Sequence, residues 1–286
     1  MGMSESEIIS KNIDITVRKM KFVMGTNKTK RYWHNDSPFV STFWSALSTA
    51  FPEGERFFMD SGRFYKDDIN DPILKEQLAD FVRQEAHHTM QHKKLNSLMD
   101  DFGYDMEKYD GWFGGLLGKV RNKVSQRMQL SASMALEHFT ANFAHQYLAN
   151  EKFTEGVDAE IKALWSWHAI EEIEHKGVLF DIYNETKGGY IERVVTLPIA
   201  WALVLGITFV AQADMLAKDG KLLNVSDNLK GLWYLAGYDG MLTNMIPSFI
   251  RYFKPDFHPW DENDMELIEA WQAEYSDHII NLKAVA

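Results

Sequence analysis

The chain contains no cysteine. Disulfides, cysteine-held iron–sulfur clusters and thiolate zinc sites are therefore excluded, and any metal must be held by His, Asp and Glu. Basic residues are also in short supply: 30 Lys and Arg stand against 41 Asp and Glu, a formal charge of −11. With no Lys/Arg stripe to neutralise phosphates, no nucleic-acid partner is expected. The opening segment MGMSESEIIS lacks the basic stretch and apolar run of a secretory signal, so a cytoplasmic location is the default expectation. No alternation of apolar and polar residues is long enough to argue for a sheet, since Ile13, Ile15 and Val17 make too short a run.

What the sequence does have is apolar material, 45% of 286 residues, arranged at helical spacing. We read a single all-α domain over 1–286, beginning with an irregular stretch at 13–36. Ser37-Pro38 opens a first helix that is expected to reach Gly62, with a kink at Pro52. Asp71-Pro72 starts a second that runs to Gly103. A glycine-rich link from Gly111 to Gly118 leads to a third helix over roughly 120–149; a fourth begins between Thr154 and Asp158 and stops at Gly188-Gly189. These four are expected to form a bundle over about 37–188.

A helical extension over about 190–286 is expected to pack around it, with helices near 226–251 and 262–283 and a loop at Pro255 and Pro259. The extension opens with VVTLPIAWALVLGITFVA at 194–211, uncharged and about as long as a membrane span. A helix buried on most sides is the favoured reading, ahead of membrane contact or a hydrophobic dimer face. Trp233, Tyr234 and Trp260 are expected to be exposed, which would suit a homodimer.

Chemistry enters with Glu85-x-x-His88 and Glu172-x-x-His175, each preceded by a glutamate in an apolar stretch, Glu55 and Glu137. The order Glu, Glu-x-x-His, Glu, Glu-x-x-His is the ligand pattern of dimetal carboxylate four-helix bundles. At helical spacing each candidate lies in line with core residues: Glu85, His88 and His92 with Leu78, Phe81 and Leu95, and His168, Glu172 and His175 with Leu164 and Leu179. Residues i and i+3 project from one face, so a Glu and its His reach one ion. A lone Glu on a helix is usually solvated and a lone core His usually hydrogen-bonded; the four segments in this order are specific where each piece is weak.

Glu55 and Glu137 are expected as bridging or terminal carboxylates. His168, one turn before Glu172, is favoured as a seventh ligand, and His92 as a hydrogen-bonding partner behind a ligand, with direct ligation the alternative. His87, His138, His145 and Glu171 fall off these seams, and Glu174 is expected to face solvent. Ser133, Thr140, Ala141 and Ala144 beside Glu137 would leave room for a substrate or dioxygen. The oxygen and nitrogen donors suit two iron ions, with manganese or zinc also compatible.

The segments FPEGERFF at 51–58, FVRQEAHHTMQH at 81–92 and WSWHAIEEIEHKGVLFDIY at 165–183 resemble the bacterial family of predicted metal-dependent hydrolases. That resemblance implies a ferritin-like fold holding two metals. The set Glu55, Glu85, His88, Glu137, His168, Glu172 and His175 is similar to that of the di-iron arylamine N-oxygenases, in which an extra histidine at the position of His168 completes the centre. It implies a di-iron oxygenase or oxidase that uses dioxygen and an external electron donor to oxidise a small organic substrate. The alternatives are a dinuclear metal-dependent hydrolase and, less favoured, non-enzymatic iron binding.

Overall fold

A computed structural model describes residues 2–275, and among these it is all-α, with no strand and only isolated bridges such as that between His34 and Val157. The helices are α1 (Glu5–Asn12), α2 (Pro38–Ser48), α3 (Phe51–Phe64), α4 (Pro72–Asp101), α5 (Met106–Lys123), α6 (Gln126–Ala149), α7 (Ala159–His175), α8 (Val178–Glu185), α9 (Tyr190–Lys218), α10 (Val225–Ala236), α11 (Met241–Asn244), α12 (Ile246–Arg251) and α13 (Met265–Tyr275). Starts follow the capping chemistry. Ser37 accepts from the Val40 amide and Asp71 from the Ile73 amide, each before a proline at the first helical position, where the missing N–H is no loss.

Several boundaries differ from expectation. The first predicted helix is two, α2 and α3, parted at Thr49-Ala50; Pro52 lies in the opening turn of α3 and starts a helix instead of kinking one. The glycine-rich segment Gly111–Gly118 is not a link but lies within α5. Burial of Tyr109, Phe113 and Leu117 on one face outweighs the roughly 1 kcal/mol that each helical glycine costs. Glycine also sets how near α3 and α5 approach, because a Cβ on Gly54 would come within 3.3 Å of Phe113.

The fourth predicted helix likewise breaks into α7 and α8 at Lys176-Gly177, where a Cβ on Gly177 would meet Ser10 Oγ at 2.5 Å. The stretch 226–251 forms three short helices; of 262–283 the described residues end at Tyr275, with α13 over Met265–Tyr275. Trp233 is exposed as expected, but Trp260 is buried and Tyr234 is half-buried, its hydroxyl accepting from Trp44 Nε1 at 3.0 Å.

α3, α4, α6 and α7 pack together around the middle of the molecule, α4 also touching α8. α2, α5 and α6 pack against α9 and leave one face of it exposed. The expected burial of α9 on most sides therefore fails. It is the one helix among the described residues that is long and apolar enough to cross a membrane, and 33% of its most apolar window is buried. Ile191, Val195, Ile199 and Val210 lie on its open face.

A buried cluster of carboxylates and imidazoles

Glu55 comes from α3, Glu85 and His88 from α4, Glu137 from α6, and His168, Glu172 and His175 from α7. None is more than 2% exposed. Their donor atoms fall into overlapping groups: Glu55, His88 and His168; Glu85, Glu137 and His175; and Glu85, His88 and Glu172, with the atoms of each group within 4.8 Å of one another. Two carboxylates join the groups. Glu172 Oε1 lies 2.9 Å from His168 Nε2 and 3.6 Å from His88 Nδ1, while its Oε2 lies 3.6 Å from His175 Nε2. Glu85 presents Oε1 to His175 Nε2 at 3.2 Å and Oε2 to His88 Nδ1 at 4.0 Å. Glu55 and Glu137 belong to different groups, Glu137 Oε2 being 3.2 Å from His175 Nε2.

The ring nitrogens that face away from the cluster are all held. His88 Nε2 is 3.0 Å from Glu171 Oε2, and His175 Nδ1 is 2.9 Å from Gln84 Oε1, an acceptor that makes Nδ1 the protonated nitrogen. Behind His168 runs a longer chain. His168 Nδ1 meets His92 Nε2 at 2.7 Å, His92 Nδ1 meets Ser48 Oγ at 2.8 Å, and Ser48 Oγ donates to Asn96 Oδ1 at 2.7 Å.

Asn96 Nδ2 points to the Ser48 carbonyl, so Oδ1 must accept from the hydroxyl. Ser48 Oγ then accepts from His92 Nδ1–H, and His92 Nε2 accepts from His168 Nδ1–H. The lone pair of His168 Nε2 is left facing Glu172. His92 thus stands behind His168 instead of joining the cluster. Replacing it by Ala should weaken metal retention about 10- to 100-fold in chelator competition. His92→Gln, which can accept from His168 and donate to Ser48, should restore most of it.

Burial pushes the carboxyls of Glu55 and Glu85 well above the ordinary range; in Glu85 the neighbouring Glu137 and Glu172 add to it. Burial and Glu172 raise Glu137 to about 7. Glu172 goes the other way: burial opposes ionisation, but His175 and His168 hold its carboxyl well below the usual value. His175 is raised to about 10 because Glu137 and Glu172 outweigh its burial, whereas burial and His168 depress His88.

No hydrogen bond is made by Glu55 Oε1, by either oxygen of Glu85 or Glu137, by Glu172 Oε2, or by the inward nitrogens of His88, His168 and His175. Buried polar atoms without partners are costly, and this many pointing at one another fits a site built for cations. Four carboxylates also match the charge of two divalent ions. The donor set therefore fits a pair of metals held without thiolate.

Several contributing residues were not legible. Glu174, expected in solvent, is buried and paired through both oxygens with Arg18, which also lies 3.5 Å from Glu171. Glu171, off the seam as expected, nonetheless orients His88. The run Glu171-Glu172-x-Glu174 held a signal, because α7 has tryptophans on neighbouring faces and no solvent side; nothing in the irregular stretch 13–36 singled out Arg18. His138 instead packs against the Ser248 carbonyl and Asn142, and His145 pairs with Asp264, both outside the cluster. Of the small residues near Glu137, Thr140 and Ala144 line a cavity at the cluster, while Ser133 donates to Ser61.

The fold and this cluster together define an all-helical protein with a buried carboxylate–imidazole centre suited to metal. The profile of the family described as "Predicted metal-dependent hydrolase" matches residues 16–263, and the chain belongs to that family. No curated protein and no solved structure matches it.

Proposed function

We propose that the chain is a dinuclear metal-dependent hydrolase of the ferritin-like kind. The observation that carries the metal reading is the convergence of seven buried side chains whose inward atoms have no other partner; hydrolysis follows the description of the family. Glu55, His88 and His168 would hold one ion and Glu137 and His175 the other, with Glu85 and Glu172 reaching both. Bound there, the ions supply Lewis acidity, polarising a carbonyl or phosphoryl oxygen and acidifying water.

The remaining work falls to the chain. Glu171, His92 and Gln84 fix which nitrogen of each imidazole faces inward. Thr89 donates to Glu55 Oε2 at 2.7 Å and orients that carboxylate. Phe51, Phe139 and Trp165 keep bulk water from the side on which His168 and Glu172 are open.

That same apolar wall favours a second reading, oxygen activation on two irons, because a water-poor cavity suits an oxidation of an organic substrate. It would require dioxygen and an external reductant. One experiment separates the two. Protein loaded with zinc or manganese should cleave p-nitrophenyl esters equally well with and without air. Turnover that requires iron, dioxygen and a reductant would replace the hydrolase reading with the oxygenase one.

A further inference from the structure

We propose that the substrate carries a slim alkyl chain, which reaches the centre along an apolar passage opening between α5, α6 and α9. The inference rests on the enzyme reading above and names its substrate class. Three neighbouring cavities, each sharing wall residues with the next, mark its course. The innermost, about 20 Å³, touches His168 and Glu172 and is walled by Phe51, Phe139 and Thr140. Those three residues also wall a second cavity of about 20 Å³, which extends to Phe113, Leu136 and Val204. Phe113, Leu136 and Val204 in turn border an outer chamber of about 230 Å³. This chamber meets the surface at Ile199 and Leu203, 54% and 40% exposed, on the open face of α9.

Lining chemistry and width select the class. No charged residue borders the second or outer cavity. The hydroxyls that border those two cavities are already engaged, Thr140 Oγ1 donating to the Glu137 carbonyl at 3.0 Å and Thr196 Oγ1 to the Glu192 carbonyl at 2.9 Å. A polar substrate would lose its hydration there and gain no partner. An alkyl chain loses nothing.

Width argues against a ring, since a cavity of 20 Å³ has room for little more than one water-sized group at a time, while benzene fills one of about 150 Å³. The outer chamber exceeds that size and can take several methylenes. Its mouth on an exposed apolar helix face gives such a chain a route in that avoids crossing charged surface. Two other cavities, beside Lys11 and beside His145, touch none of the seven cluster residues.

The test titrates the full-length, metal-loaded protein with straight-chain primary alcohols from butanol to decanol by calorimetry. Each added methylene should tighten binding by up to about fourfold. Leu136→Trp and Val204→Phe, at the junction of the second and outer cavities, should each flatten that dependence without changing metal content; if one fails to fold, the other carries the comparison. With manganese bound, the proton signals of one end of octanol should broaden more than those of the other, because the chain lies end-on to the centre.

Affinity independent of chain length, the same length dependence in a folded junction variant, or uniform broadening would each overturn the passage. Two bound metals without length dependence would refute the passage and leave the enzyme reading standing. Length dependence in protein that binds no metal would support the passage and refute the enzyme reading.

Discussion

Stripped of metal by a chelator, the protein should melt on the order of 10 °C below its metal-loaded form at pH 8, and the gap should close towards pH 5. The cause lies in four carboxyls packed together out of water. In the metal-free fold Glu55, Glu85 and Glu137 hold protons that the unfolded chain would release, because burial raises all three. Raised carboxyls bind more protons folded than unfolded. Their contribution to stability is therefore complete below the ordinary carboxyl value and is lost as pH climbs through the folded one.

For Glu137 that window runs from 4.5 to about 7, and the loss across it is about 3 kcal/mol. His175, raised to about 10, acts in the same direction above pH 6.5, where the unfolded chain has already lost that proton. Glu172, held low, loses its stabilising effect only below pH 4.5. Metals reverse the trend, since they bind the deprotonated ligands and compete with protons. Thermal melts followed by helical circular dichroism from pH 5 to 8, with and without chelator, measure the gap. One that widens towards pH 5 would contradict the assignment of these carboxyls.

Glu172→Ala should reduce bound metal from two ions per chain to at most one and lower turnover by a factor on the order of 10³. Glu172 approaches the inward nitrogens of His88, His168 and His175 within 4 Å, and its two oxygens face different halves of the cluster. Removing it takes a ligand from both halves at once. Loss of the shared carboxylate also leaves an uncompensated cation beside His168, of the kind that costs several kcal/mol in a buried site. Glu172→Asp should fall between, because the shorter side chain retracts the carboxylate by about one bond length and a displacement near 1 Å is worth roughly 10²-fold. Elemental analysis and turnover on the same preparations decide the matter; an Ala variant that retains both ions would remove Glu172 from the centre.

Much of the cluster was readable because helical periodicity is a strong constraint. Glu85 and His88 align with Leu78, Phe81 and Leu95, and a carboxylate in an apolar seam needs a reason. The same logic placed His168 on the line of Glu172. Periodicity was a poorer guide where tertiary contacts overrode local preference. The glycines of α5 suggested a link, yet Tyr109, Phe113 and Leu117 hold it helical against the core. Glu174 looked like a solvated helix residue until Arg18, 156 positions earlier, was brought against it.

By itself, the sequence determined the all-α class, the absence of thiolate ligands and the seven residues whose spacing points inward, because residue types and the 3.6-residue period do not depend on what packs against a helix. The tertiary structure alone decided which carboxylates reach both halves of the cluster, which nitrogen of each histidine faces inward, and which apolar cavities lie between the cluster and α9. Those depend on contacts between helices: His92 acquires its role from Ser48 and Asn96, and the outer cavity is walled by Phe113, Leu136 and Val204, which arrive from three separate helices at one place.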